Sequence, residues 1–407
     1  MSFSMYIITI LFLITKVLLT KQCCDSVVWN QNGTTIVDIQ LLHWQKTITL
    51  PQIAIDSHLS LYIADGNQVR LIKTFQPLTL PFKFDEHSYP STVFIDRHDN
   101  LYIADSGRNP RILKYSLTTS ENWTVIAGGN GRGNRTDQIS QCFGLFVTDN
   151  DYLYLADYDN HRIMKWPTSG KAKKGEIVLQ QGDQFSPVDL FVDKNNMLYV
   201  VDQNQDQVQL FTEYDSTEGT TLAGGQGRGS NYDQLRVPRS LLVVMNDNCT
   251  TLYVLDTGND RILKWSSLSW GKGATGTVVV GGNGRGNQSN QFNSPGGIVR
   301  DPQGNLIIAD GNNKRIQKFS RQLSETDKSK INIKILVRSI VGGVCGLSII
   351  VGFIIFYVIK YCHFQSVHLS WNVPRASVST ISTAESSSLS STANHTYAEI
   401  GSDWLND

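Results

Sequence analysis

Leu153-Tyr154-Leu155-Ala156-Asp157 decides the fold, because the chain of 407 residues repeats this phrase six times with small changes. The other copies are Leu61 to Asp65, Leu101 to Asp105, Leu198 to Asp202, Leu252 to Asp256 and Leu306 to Asp310. Their closing aspartates fall 40 to 54 residues apart, the period of a repeated four-stranded blade. The residues between Leu and Asp are aromatic or aliphatic β-formers, so each copy reads as a strand.

Working outward from Asp157, the third repeat supplies all four strands. Upstream lies the apolar run Gly144-Leu145-Phe146-Val147, separated from the central phrase by the polar turn Asp149 to Asp151. Downstream, the turn from Tyr158 to His161 leads into Arg162-Ile163-Met164-Lys165-Trp166, whose alternating polarity suits a half-buried strand. Glu176-Ile177-Val178-Leu179 reads as the fourth. No helical periodicity interrupts this scheme before the C-terminal region.

The combination of Leu-Tyr-x-Ala-Asp with an Arg-Ile pair a few residues later resembles the NHL-repeat propeller family. The pair stands at Arg70-Leu71, Arg111-Ile112, Arg162-Ile163, Arg261-Ile262 and Arg315-Ile316, and the fourth repeat departs from it with Gln207-Val208. The resemblance runs from about Val28 to Arg321 and implies an all-β, six-bladed propeller over residues 28–321. The first repeat shows no obvious fourth strand after Phe75. Trp29 through Val37, however, reads like Trp265 through Val280, the end of an Arg-Ile strand followed by Gly-Thr-x-Val. Thr34 to Val37 is therefore expected to close the ring beside Arg315 to Phe319, leaving only short edges open.

Six aspartates and five arginines at fixed positions look catalytic at first sight. Repetition argues otherwise, since an active site is needed once and a blade-building residue in every blade. Each Asp follows a strand and precedes a turn whose backbone N–H groups its carboxylate can bind. His58, His98 and His161 fall in turns, and His43 and His87 in irregular segments, so no inner strand carries the convergent set a metal needs. No cofactor is expected. Asp149-Asn150-Asp151 and Asp157-Tyr158-Asp159-Asn160 do not continue into a calcium-binding loop. Gly-x-Gly-x-Gly recurs at Gly129 to Gly133, Gly225 to Gly229 and Gly282 to Gly286 without a following helix to present amides to a phosphate. Because strands alternate direction, those loops emerge on the same face as the turns after the repeated aspartates. Arg132, Arg228 and Arg285 are thus nominated as a binding face, against the plainer reading in which each packs on its own blade.

The two ends suggest where the propeller works. Residues 1–22 are largely apolar and read as a secretory signal, although Lys16 and the lack of a clear cleavage site leave an uncleaved anchor open. After a linker over 322–338, residues 339–359 are uncharged and bracketed by Arg338 and Lys360. At about 1.5 Å per residue this segment spans a hydrocarbon core of roughly 30 Å, so a single transmembrane helix is expected. Gly342 and Gly346 have the small-residue spacing of helix pairs and nominate a homodimer. Charges flanking the span favour the propeller inside, whereas the N-terminal segment and sequons at Asn32, Asn122, Asn134, Asn248 and Asn287 favour it outside, at the plasma membrane. Cys23, Cys24, Cys142 and Cys249 have no pairing readable from spacing. The Ser-rich and Thr-rich tail over 360–407 is expected to be disordered and cytoplasmic, with Tyr397 a candidate for phosphotyrosine-reading domains.

Charge is balanced, with 36 basic and 36 acidic residues, so no nucleic-acid partner is expected. There is no Cys and His array of the RING kind that accompanies this propeller in ubiquitin ligases. The expectation is a non-enzymatic surface protein binding an extracellular protein or glycan. The alternative is a lyase or lactonase with a metal at the central channel, which some relatives with similar propellers suggest.

Overall fold

In a computed structural model, residues 27–38, 51–73, 76–78, 84–118, 123–170, 172–211, 218–246 and 249–322 are described, and they form a ring of six four-stranded antiparallel sheets. Blade 3 shows the pattern, running Cys142–Val147, Tyr152–Asp157, Arg162–Pro167 and Glu176–Gln180 from inner to outer strand. Inner strands of the other blades are Gln52–Ile55, Pro90–Ile95, Pro187–Val192, Pro238–Asn246 and Pro295–Arg300.

The repeated phrase is apolar on both faces because its strand is sandwiched between two neighbours. Successive side chains on a strand point to opposite faces. Leu153 and Leu155 accordingly pack with blade 2, and Tyr154 and Ala156 pack with blade 4. Six such inter-blade clusters follow one another round the ring. The one between blades 6 and 1 joins Ile307, Ala309 and Ile316 to Ile53, Leu61 and Ile63, so the circle is complete.

Closure takes the expected form. Thr34–Asp38 is the outer strand of blade 6, with Thr34 opposite Lys318, Thr35 opposite Gln317 and Val37 opposite Ile316. The glycine before it is part of the device. A Cβ on Gly33 would lie 2.7 Å from the ring of Phe319, as one on Gly276 would lie 2.7 Å from Trp265 and one on Gly219 2.7 Å from Phe211. Gly33, 286 positions before Phe319, thus completes the packing that blades 4 and 5 make locally.

Two expectations are corrected. Blade 1 does have a fourth strand, Gln76–Leu78, paired with Leu71, Ile72 and Lys73; it is short and contains Pro77, which an outermost strand tolerates because one of its edges needs no donors. Trp29 does not end an Arg-Ile strand. Phe319 occupies that place, while Val28–Trp29 pairs separately with Arg321–Gln322 and the buried indole donates to the Gly304 carbonyl at 3.1 Å.

Among the described residues no helix is long and apolar enough to cross a membrane. The segments 1–22, 323–338, 339–359 and 360–407 lie outside the described residues, and with them Cys23, Cys24, Gly342, Gly346 and Tyr397. Asn122, Asn248 and His43 also lie outside.

Candidate binding site at the channel mouth

The repeated aspartates are structural staples. Asp157 accepts from the Ser140 amide at 2.8 Å, from Asn160 at 2.8 Å and from Arg162 Nε at 2.8 Å. Asp256 and Asp310 do the same with the Arg236 and Asn293 amides and with Arg261 and Arg315. These bonds tie the end of strand two to the loop entering strand one, so both loop sets share a face. The rest of the Arg162 guanidinium donates to the carbonyls of Asn134, Arg135 and Gln138, and Arg261 and Arg315 hold the matching three carbonyls of their own loops. Burial still pushes the carboxyls of Asp157 and Asp256 above the usual range, because desolvation outweighs these donors.

Blade 4 explains its own departure. The connection into it, residues 181–186, is much shorter than the glycine-arginine loops and offers no set of carbonyls to clamp. Gln207 replaces the arginine, and Asp202, whose carboxyl burial also pushes up, has an Oδ2 without a hydrogen-bond partner.

Arg132, Arg228 and Arg285 stand on the expected face, each engaged by a carboxylate. Arg228 bonds Asp206 at 2.8 Å and Arg285 bonds Asp260 at 2.9 Å, within the blade just left. In blade 2 the corresponding position is Pro110, so Arg132 turns to Asp159 of blade 3 and to the carbonyls of Ser106 and Gly107. Their side chains keep 45 to 57% exposure. They form a ring of paired rim residues on separate loops, and no bond joins one to another.

The inner strands carry a feature that the motif reading passed over. Five of them have a β-bulge one residue in, at Ser91, Phe143, Val188, Arg239 and Gly296. Bulges re-aim side chains, and those at Ser91, Phe143 and Arg239 line one recess at the mouth of the channel, whereas Val188 is buried between blades 4 and 5. Blade 1 lacks the extra residue: Pro51 and Asp56 are one position closer than Pro90 and Asp96 or Pro187 and Asp193. Beside this shorter strand lies a recess of about 240 Å³ lined by Gln52, Asp65, Tyr89, Ser91, Gln141 and Phe143, and Arg239 reaches into it across the channel from blade 5. Its guanidinium carbon lies 5.2 Å from the centre of the Phe143 ring. Arg239 Nε is buried without a hydrogen-bond partner, and no ion pair holds this residue among the described residues. Desolvation accordingly lowers its pKa, opposed only by Tyr158 and Tyr89. Asp65 in the same wall is neutralised by Arg70 at 2.9 Å and two amides.

Beneath the mouth the channel turns apolar, with Ile53, Val93, Leu145, Leu190, Leu241 and Ile298 round a space of about 280 Å³ that Gln52 also lines. Asp189 is its acidic member. It accepts from Ser240 Oγ at 3.0 Å and the Leu241 amide at 2.8 Å, joining blades 4 and 5, and burial raises its carboxyl to about 6. Among the described residues no three of His, Cys, Asp and Glu come together as a metal site. His161 Nδ1 instead meets the Phe185 carbonyl at 2.6 Å, and His58 lies in an exposed turn beside Ser57.

The NHL repeat family model matches residues 292–319. That is blade 6. Together with the six-bladed ring, the match supports the NHL-repeat family for this propeller. Solved structures of similar fold include an auxiliary nutrient binding protein from Bacteroides thetaiotaomicron, 18% identical over 68% of this chain and 69% of that one with a TM-score of 0.53. A second auxiliary nutrient binding protein, from Bacteroides ovatus, is 12% identical over 72% and 73% with a TM-score of 0.52. A gluconolactonase from Xanthomonas campestris is 12% identical over 74% and 96% with a TM-score of 0.50. At these identities the likeness is one of fold alone. No curated protein matches the sequence significantly.

Proposed function

We propose that this chain is a cell-surface binding protein, held by one membrane span at 339–359, whose outward-facing propeller takes a protein or glycan partner on its loop-built face and whose tail offers Tyr397 to the cytoplasm. The observation that carries the reading is Arg239, a cation without an ion-pair partner among the described residues at the centre of that face. Structural arginines here are clamped by carboxylates or carbonyls, and this one is left facing the recess.

Two further observations support display outside the cell. Cys249 is disulfide-bonded while Cys142 is free and buried, and disulfides persist in oxidising compartments. The sequon residues Asn32, Asn134 and Asn287 are all exposed, and the last two stand on the glycine-arginine loops, where glycans would flank the mouth. The test is protease and glycosidase access on intact cells expressing the full chain. Loss of the propeller to external protease and a mobility shift on deglycosylation are expected; a protected, unglycosylated propeller would overturn the proposal.

A further inference from the structure

We infer that the recess at the channel mouth is a carboxylate site, in which Arg239 holds the carboxylate of a small organic acid and the aliphatic channel below takes the acid's apolar body. The inference adds a small-molecule site at the centre of the face proposed above for a protein or glycan, and rests on that reading for its biological setting only.

The chemistry follows from what surrounds Arg239. A guanidinium presents a planar fork of donors that matches a carboxylate. Placing one in a half-buried recess is costly unless something pairs it. Among the described residues nothing does: Asp65 is already neutralised by Arg70, and Asp189 is engaged by Ser240, Leu190 and Leu241. Phe143 lies against the guanidinium and Tyr89 also lines the recess, so aromatic surface adjoins the charge. Gln52, Gln141 and Ser91 add polar groups at the rim, yet Gln52 Nε2 and Ser91 Oγ are spent on the Gly296 and Cys142 carbonyls. That leaves Arg239 as the cationic donor of the recess. Below it the lining is mostly Ile53, Val93, Leu145, Leu190, Leu241 and Ile298, with Asp189 and Arg300 also on the wall; the aliphatic part suits a hydrocarbon or aryl body, and the Asp189 carboxyl disfavours a second anionic group there. A phosphate dianion with a polar body fits this arrangement poorly; a monocarboxylate with an apolar body fits both halves.

The experiment is equilibrium dialysis of the full-length chain against benzoate, with benzamide as a neutral probe of the same shape. Saturable binding of one benzoate is expected, with benzamide at least about tenfold weaker, since it forfeits a charge-assisted hydrogen bond. Arg239→Gln is expected to weaken benzoate by at least about tenfold while leaving the unfolding midpoint no lower than that of the unaltered chain. Equal binding of benzoate and benzamide, absence of saturable binding, or full retention by Arg239→Gln would each overturn the inference. Should Arg239→Gln unfold, the comparison of benzoate with benzamide on the unaltered chain decides it. Cell-surface display is tested separately by protease access, so the two readings fail independently.

Discussion

Arg162→Met tests the clamp that organises the loop-built face. The substitution keeps an unbranched apolar stem and deletes the guanidinium, which is 1% exposed and bonds an Asp157 that is 0% exposed at 2.8 Å. Asp157 would keep the Ser140 amide and Asn160 as donors, inside an environment that already pushes its carboxyl upward. Stripping the cation from a buried pair costs about 3–5 kcal/mol. The carbonyls of Asn134, Arg135 and Gln138 belong to a surface loop and can turn to water, so the stranded carboxylate dominates the loss. A urea titration at pH 7 followed by tryptophan fluorescence measures it, with Arg132→Ala as reference; that pair is about half exposed, and its removal should cost less than about 1 kcal/mol. The pH dependence has a definite sign. A carboxyl raised in the folded state lends most stability when protonated and loses it as pH rises, so the Arg162→Met deficit should be larger at pH 7 than at pH 4.5. A loss no greater than the reference's would refute the clamp.

Gly33→Ala should destabilise the ring by about 1–3 kcal/mol in the same titration, because the new methyl would meet Gln317 Oε1 at 2.5 Å and the Phe319 ring at 2.7 Å and force these buried side chains to shift; an unchanged midpoint would show that the N-terminal strand is not packed as described. Asp202→Asn should cost less than Asp256→Asn by at least about 1 kcal/mol, since the latter strands Arg261 whereas the former removes a carboxylate with an unpartnered oxygen; equal costs would contradict the account of blade 4. For Asp189, the folded carboxyl at about 6 against an ordinary 3.8 means that stability falls as pH rises through that window, by up to about 3 kcal/mol and less where channel water screens the charge. Asp189→Asn should abolish that slope between pH 4.5 and 7.5, and parallel slopes in the two proteins would count against it.

Blade number and ring closure were legible because they rest on repetition. Leu153 to Asp157 recurs with its neighbours, and Gly33-Thr34 echoes Gly276-Thr277 closely enough to place a strand whose partner lies at the other end of the propeller. The strand at Gln76–Leu78 was not legible, since three residues around a proline carry no period. Trp29 misled for a related reason: a tryptophan before a glycine looks like Trp265, but only three-dimensional packing shows that Phe319 already fills that place. The rim arginines were placed on the correct face without their partners, because whether Asp206, Asp260 or Pro110 precedes the third strand changes the pairing without changing the motif. Arg239 was missed although a signal existed. Comparing the Pro-to-Asp intervals of the inner strands reveals the residue missing from blade 1, and reading the second position of the other five strands then isolates one arginine among small or apolar residues.

Native-state hydrogen exchange on the peptide containing Thr34–Asp38 tests the central claim most directly, namely that six blades are closed by the N-terminal strand around the channel mouth. The amides of that strand that pair with Arg315–Phe319 should exchange only as slowly as the outer strands of blades 3 and 5 allow. Exchange at the rate of an unstructured peptide would mean an open ring, and with it no fixed mouth for Arg239 to guard.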